Sequence, residues 1–382
     1  WEQFSLVSLN TPSLPGILPE VGLTRFYPAR DNYAHLIGYV GPVSESDLSR
    51  MEEPDPLFQI PRFPIGKTGV ELTFEEQLRG GAGTRRIEVN SAGRIMRELE
   101  RNGGDPGADL TLTVESDLQA YTQERLVGES AAAVVLDVEN GDVVASVSGP
   151  SFDPNNLVLG ISSKNWNTLL NDPFRPLSNK PVSGGYPPGS TFKMVVALAA
   201  MQAGEMKPDD EVFCPGHYDL GDRRFHCWSR GGHGRVDLRK SLRESCDVYY
   251  YDIARRVGID NIAAMARQLG LGDRLDLPLP AVSRGIIPTK AWKEERYSQS
   301  WLIGDTLNSG IGQGFVLATP MQLAVMTARI ATGKAVNPRL VHAIDGVPQP
   351  REGFADLGIN EEHLRAVRNG MFAVLNETRG TA

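Results

Sequence analysis

The chain has 382 residues, of which 41% are hydrophobic, 7% aromatic and 23% charged. That length favours two domains, and the ordinary globular composition excludes a largely disordered chain. Lys and Arg number 39 against 47 Asp and Glu, and a net charge of −8 argues against a nucleic-acid partner, which calls for a basic surplus.

No apolar stretch reaches membrane-spanning length; the longest runs, Met194–Met201 and Ala131–Val138, are short. The chain begins at Trp1 with no signal peptide in view, so it reads as a piece of a longer protein that is free to carry an N-terminal anchor. Residues 1–108 are rich in Pro, Gly and charge. Thr24–Tyr39 reads as short strands and turns, its aromatics broken by Pro28 and Asp31. Glu71–Arg79 (ELTFEEQLR) reads as a short amphipathic helix, Arg85–Val89 as a strand and Ser91-Ala-Gly93 as a turn. Arg101–Gly107 (RNGGDPG) is the clearest linker, and it divides the chain into 1–108 and 109–382.

A second pattern starts at Asp109. Leu110–Val114 alternates like a strand, and Ser116 or Asp117 is placed to cap a helix running to about Val127. Ala131–Asp137 and Asp142–Ser148 are β-rich runs around Asn140-Gly141, a dipeptide that favours a tight hairpin. Helix-like stretches follow at Thr191–Ala203, Leu238–Val257, Asn261–Leu269 and Pro320–Thr332. Helices around an antiparallel sheet, an α+β fold, is the simplest architecture.

The most informative segment is Pro187-Pro-Gly-Ser190-Thr-Phe-Lys193. Pro and Gly force a turn, and the apolar run after it places Ser190 at a helix N-terminus with Lys193 on the same face. A serine hydroxyl is a poor nucleophile until a base takes its proton, and a lysine can serve. The plain alternative is a capping serine beside a solvated lysine. Context favours chemistry. Glu244-Ser245-Cys246-Asp247 offers a second serine with a carboxylate two residues on, the form of the second motif of active-serine penicillin enzymes.

YPPGSTFK, RESCDVYYY, NSGIGQG and LATPMQLA, in that order, resemble the transpeptidase domain of class B penicillin-binding proteins. VGLTRFYPARDNYAHLIGYVG, IGKTGVE and RIEVNSAGR resemble the pedestal (dimerisation-type) domain of that family's elongation-specific members. The likeness spans essentially the whole chain. It implies a pedestal at 1–108 and a serine D,D-transpeptidase domain at 109–382. It also implies attack by Ser190 on the D-Ala-D-Ala end of a peptidoglycan stem peptide. Lys193 would be the base, Ser245 the proton relay to the departing D-Ala, and Asp247 the group orienting both. The Ser190 N–H would supply half an oxyanion hole. β-Lactams would acylate Ser190. The resemblance further implies a bacterial periplasmic domain anchored in the inner membrane. Its implied partners are a membrane glycosyltransferase and an elongation scaffold protein.

The family's third motif, K-[ST]-G, belongs on a strand after the GQG segment. Lys67-Thr68-Gly69 precedes the nucleophile and reads as a turn. The third motif is therefore expected beyond Ala382, and the 382 residues without it are expected to be impaired.

The three cysteines lie at 214, 227 and 246. One reading is a Cys214–Cys227 disulfide with Cys246 left over. Another is a structural zinc on Cys214, Cys227, His233 and Cys246, stapling a Gly-rich segment with little core of its own. A third is three free thiols. His217 and His226 rival His233 as the fourth ligand. Trp228 and Trp301 are either core residues or part of the substrate cleft. Thr319 and Gln322 read as helix-capping and packing residues, and Arg25, Tyr27 and Arg94 as structural or partner-facing. Two other functions compete with transpeptidation. One is a serine D,D-carboxypeptidase or β-lactamase. The other is a non-catalytic scaffold that activates a membrane glycosyltransferase.

Overall fold

The computed structural model describes residues 2–14, 17, 24–60, 62–91, 95–351 and 353–382. One helix organises the larger part of the chain. Lys193–Gln202 carries no charge after Lys193, and Lys193–Met201 are all buried. A helix apolar on every face belongs inside a core. Helices Asp247–Val257, Ile259–Gln268 and Glu361–Asn376 pack around it. Tyr249, Tyr250, Ile253 and Ile262 fill the space between them. Each such buried side chain contributes about 1.5–3 kcal/mol. The core therefore fixes where the helix begins, which is where Lys193 stands.

The expected antiparallel hairpin is present as Ala131–Leu136 against Val143–Gly149, with helix Ser116–Arg125 beside the second strand. Its turn is longer than two residues. Only Gly141 takes a positive φ, of 78°. The side chains of Asp137 and Asn140 accept hydrogen bonds from the N–H groups of Glu139 and Asp142, turning the chain by local polar contacts. Neither Ser116 nor Asp117 caps the helix. Its N-cap is Glu115, without a side-chain bond, and Asp117 instead complements the dipole from the first turn. Leu110–Leu112 pairs with Val341–Ile344 from the far end of the chain.

In the N-terminal region Val40–Pro42 pairs with Pro64–Gly66. The expected helix over Glu71–Arg79 comes as two, Gly69–Thr73 and Glu75–Arg79, parted at Phe74. Thr84–Val89 and Ile95–Asn102 form a ribbon exposed along its whole length, so the expected linker begins only after Asn102. Arg94 and the turn at Ala92-Gly93 lie outside the described residues.

Side-chain amides reading backbone tie this region to the rest. Asn155 exchanges two hydrogen bonds of 2.9 Å with the Tyr27 backbone. Gln119 Nε2 donates to Asn32 O and Asn179 Nδ2 to His35 O, both at 2.8 Å. Nearby, buried Glu71 accepts from Tyr27 Oη at 3.2 Å and pairs with Arg25 at 3.0 Å. Burial raises the Glu71 pKa, and the Arg25 charge opposes that rise.

His35 makes this junction acid-sensitive. Its Nε2 is buried without a hydrogen-bond partner, and its ring meets Phe152 edge-on at 5.4 Å. Burial, with the Lys180 ammonium facing it, lowers its pKa to about 4, against a hydrogen bond at Pro176 that raises it. A depressed histidine pKa favours the neutral form in the fold, so this stability is present above pH 6.5 and lost as pH falls towards 4. His35→Phe should therefore gain on wild type, by on the order of 3 kcal/mol between pH 7 and pH 4. Urea melts of both proteins at each pH read that difference. Parallel pH profiles would refute the assignment.

Candidate active site

Pro188 leads into a 3-10 turn over Gly189–Phe192, and the α-helix begins at Lys193. Ser190 therefore sits on the tight turn before the helix rather than on the helix itself. It is exposed, while Lys193 is only 1% exposed. As the second residue of the turn, Ser190 has no intrahelical acceptor for its N–H. The turn is held from outside by the GIGQG segment. Gly189 N donates to Gly312 O at 2.9 Å, and a Cβ on Gly312 would stand 2.2 Å from Gly189 O. Gly312 also has φ +68°, so glycine is required there for space and conformation alike.

The sequence suggests one helix over Leu238–Val257. The structure has two, Leu238–Arg243 and Asp247–Val257, broken at Glu244–Cys246. The break lies at Ser245, whose φ of +50° is left-handed. For a residue with a Cβ that conformation costs roughly 1–2 kcal/mol, so surrounding contacts must hold it. They are visible. The Ser245 carbonyl accepts from Lys193 Nζ at 2.9 Å and from Trp228 Nε1 at 3.0 Å. The same indole N–H also reaches Glu244 O at 3.0 Å, and Trp228 N donates to Asp247 Oδ2 at 3.0 Å.

The four residues expected to act together are thus in one hydrogen-bonded cluster. Ser190 Oγ lies 2.7 Å from Ser245 Oγ. Lys193 Nζ lies 3.0 Å from Ser245 Oγ and 2.8 Å from Asp247 Oδ1. The path from Ser190 to Lys193 runs through Ser245. Lys193 Nζ also lies 5.5 Å from the centre of the Tyr250 ring. Lys67-Thr68-Gly69 takes no part. Lys67 pairs with Asp47 and its N–H bonds Tyr39 O in the N-terminal region.

Behind the cluster, Cys214, Cys227, His233 and Cys246 bring one donor atom each to within 4.8 Å of the others. All three thiols are buried and free. His233 Nδ1 lies 3.5 Å from the Sγ atoms of both Cys214 and Cys227, while its Nε2 is buried without a partner. A tetrahedral zinc with Zn–S of about 2.3 Å and Zn–N of about 2.0 Å demands donor separations of roughly 3.5–3.8 Å; the two His233–thiol separations match that, and the whole set, within 4.8 Å, needs only a small contraction to hold the ion. The two rivals are elsewhere: His217 faces Asp219 at 3.6 Å on a surface hairpin, and His226 is exposed. Strand pairing sets the geometry, since Cys214 lies opposite Gly234 and its carbonyl accepts from His233 N at 3.1 Å. The thiols also perturb one another. The Cys227 thiol is pulled down to about 5, chiefly by its hydrogen bond with Cys246, whose own thiol is pushed up by that bond and by burial.

Trp228 is 60% exposed beside Ser245, and its ring centre lies 5.5 Å from that of His233. Its part in holding Ser245 and Asp247 was not legible from its own type; its position next to Cys227 was the available signal. Trp301 instead joins an aromatic group with Phe315 and donates to Thr306 Oγ1 at 2.7 Å. Thr319 and Gln322 form a reciprocal capping box, and Gln322 Nε2 reaches the carbonyls of Asp273 and Arg284.

Residues 131–382 match the penicillin binding protein transpeptidase domain, and residues 1–112 the penicillin-binding protein dimerisation domain. The peptidoglycan D,D-transpeptidase MrdA of Haemophilus influenzae is 36% identical over the whole chain, which spans 60% of that relative's length. Among solved structures, Pseudomonas aeruginosa PBP2 in complex with WCK 5153 is 37% identical with a TM-score of 0.83, covering 94% of this chain and 76% of that one. The complex between PBP2 and MreC from Helicobacter pylori is 32% identical with a TM-score of 0.85, covering 99% and 70%.

Proposed function

The chain belongs to the penicillin-binding protein transpeptidases, and on that premise we propose that it cross-links peptidoglycan stem peptides by acyl transfer through Ser190. The observation that carries the reading is the continuous path Ser190 Oγ–Ser245 Oγ–Lys193 Nζ, with steps of 2.7 and 3.0 Å. In acylation, which requires Lys193 as the neutral amine, the Ser190 proton passes to Ser245 while the Ser245 proton passes to Lys193, and Ser190 Oγ bonds the carbonyl carbon of the penultimate D-Ala. The same path run backwards returns a proton to the departing D-Ala amine as the C–N bond breaks. The acceptor amine then attacks the ester, loses its proton along the path and restores Ser190. Asp247 compensates the Lys193 charge, and the Ser190 N–H stabilises the oxyanion. The third family motif would come from beyond Ala382.

Cys214, Cys227, His233 and Cys246 would hold a structural zinc, which would cross-link the loops carrying Trp228 and Ser245 and supply no chemistry to the transfer. The wider setting follows the relatives. No helix among the described residues is long and apolar enough to cross a membrane. We place the chain as the periplasmic part of an inner-membrane-anchored protein of cell elongation. Its 1–108 region would meet a scaffold protein, as PBP2 meets MreC in the Helicobacter pylori complex, and a membrane glycosyltransferase. Division into a pedestal at 1–108 and a transpeptidase domain at 109–382 is part of this reading.

The test is partition of the acyl-enzyme. Full-length protein given a D-Ala-D-Ala pentapeptide and a labelled amine should release D-Ala and form the amide product. D-Ala release with hydrolysis alone would favour the carboxypeptidase reading. No release by a folded protein would favour the non-catalytic scaffold.

A further inference from the structure

A second cavity, of about 660 Å³, lies apart from the Ser190 cluster, between the turn at Asn140 and the C-terminal end of helix Pro320–Thr332. Five of its lining side chains are arginines: Arg267, Arg274, Arg329, Arg339 and Arg351. No lysine lines it. This concentration stands in a protein whose net charge is −8.

The arginines are poorly compensated. Asp142 is the single carboxylate that pairs with any of them among the described residues; it meets Arg339 at 2.6 Å and Arg351 at 3.4 Å. Asp273 and Asp276 line the cavity but form no ion pair there among the described residues. Arg329 is anchored only to neutral acceptors, the carbonyls of Gln268 and Val336 and the Asn337 amide oxygen. Burial without a counter-ion disfavours its charge. Arg267 reaches only Ile287 O, at 3.4 Å. Arg274 is exposed and has no hydrogen-bond or ion-pair partner among the described residues. Arg339 Nη2 is buried with no acceptor among the described residues. A buried guanidinium nitrogen left unpaired is costly, and this one faces a cavity that four further guanidiniums line, an arrangement suited to an anion.

We propose that this cavity binds a phosphate- or diphosphate-bearing ligand. A carboxylate carries one charge and satisfies one or two forks. A phosphate offers more acceptor oxygens and about two charges, and planar guanidiniums match its edges with paired hydrogen bonds. Phe354 and Pro338 give the cavity an apolar side for whatever bears the phosphate. The source is either a soluble phosphate or a lipid headgroup. The proposal does not depend on the acyl-transfer reading.

Calorimetric titration of inorganic pyrophosphate into full-length protein at low ionic strength tests it. Saturable binding is expected, weakened about tenfold or more by Arg274→Glu, since a charge-assisted contact is lost and a like charge takes its place. Arg274 is exposed and holds no hydrogen bond or ion pair among the described residues, so folding and β-lactam acylation should be unchanged, which separates failure here from failure at Ser190. A parallel arm titrates a short-chain phosphomonoester lipid, below its critical micelle concentration, into the same protein. Binding tighter than that of pyrophosphate, and competed by it, identifies a lipid source; pyrophosphate binding alone identifies a soluble one. Absence of binding, or binding equally strong in Arg274→Glu, overturns the proposal.

Discussion

Lys193→Ala should slow acylation of the full-length protein by a fluorescent penicillin about a thousandfold, the scale of a lost general base. Lys193 Nζ is the end of the path from Ser190 and contacts Ser245 Oγ, Ser245 O and Asp247 Oδ1. Its removal takes away the proton acceptor and one of the contacts holding Ser245 at positive φ. Ser245→Ala removes the relay but keeps the base, so its loss should be smaller, about a hundredfold, with water filling the gap. Stopped-flow fluorescence reads both, and circular dichroism checks folding. Wild-type rates in Lys193→Ala would mean that another group deprotonates Ser190.

Loss of the cysteine–histidine centre should come next in size. Cys246→Ser or prolonged chelation should remove one zinc per chain, measured by elemental analysis. It should lower the melting temperature by about 10 °C, the shift expected for on the order of 4 kcal/mol in a domain of this size. Cys246 is joined covalently to Ser245 and Asp247, and Cys227 to Trp228, whose N–H groups hold the same motif. Acylation should therefore slow together with the loss of metal, although no donor of the centre touches Ser190. A protein that carries no metal when purified, with Cys214 joined to Cys227, would replace the zinc reading with the disulfide one.

What was legible in the sequence was local. Ser190 and Lys193 stand out because they share one turn, and Ser245 and Asp247 because they share one short motif. Pro320–Thr332 is marked at both ends, by the Thr319–Gln322 box and by Gly333 in the left-handed region. The path between the motifs was not legible. It depends on a left-handed serine, a conformation no propensity assigns, and on an indole that reaches across from residue 228 to the carbonyl of residue 245. The single long helix expected over Leu238–Val257 fails for the same reason: its periodicity continues through a break that only tertiary contacts maintain. Helix Glu361–Asn376 carries a local signal of its own: Asn360 caps it, and Leu364, Val367 and Ala373 mark its buried face. The poor compensation of the arginine cavity was equally invisible, because its five guanidiniums come from segments spread between residues 267 and 351.

The central claim is that Ser190 Oγ is the acylated atom. Peptide mapping of full-length protein after brief exposure to a penicillin tests it most directly. One adduct per chain is expected, on the peptide that carries Ser190, and none in Ser190→Ala. An adduct on any other residue, or none on folded wild-type protein, would contradict it.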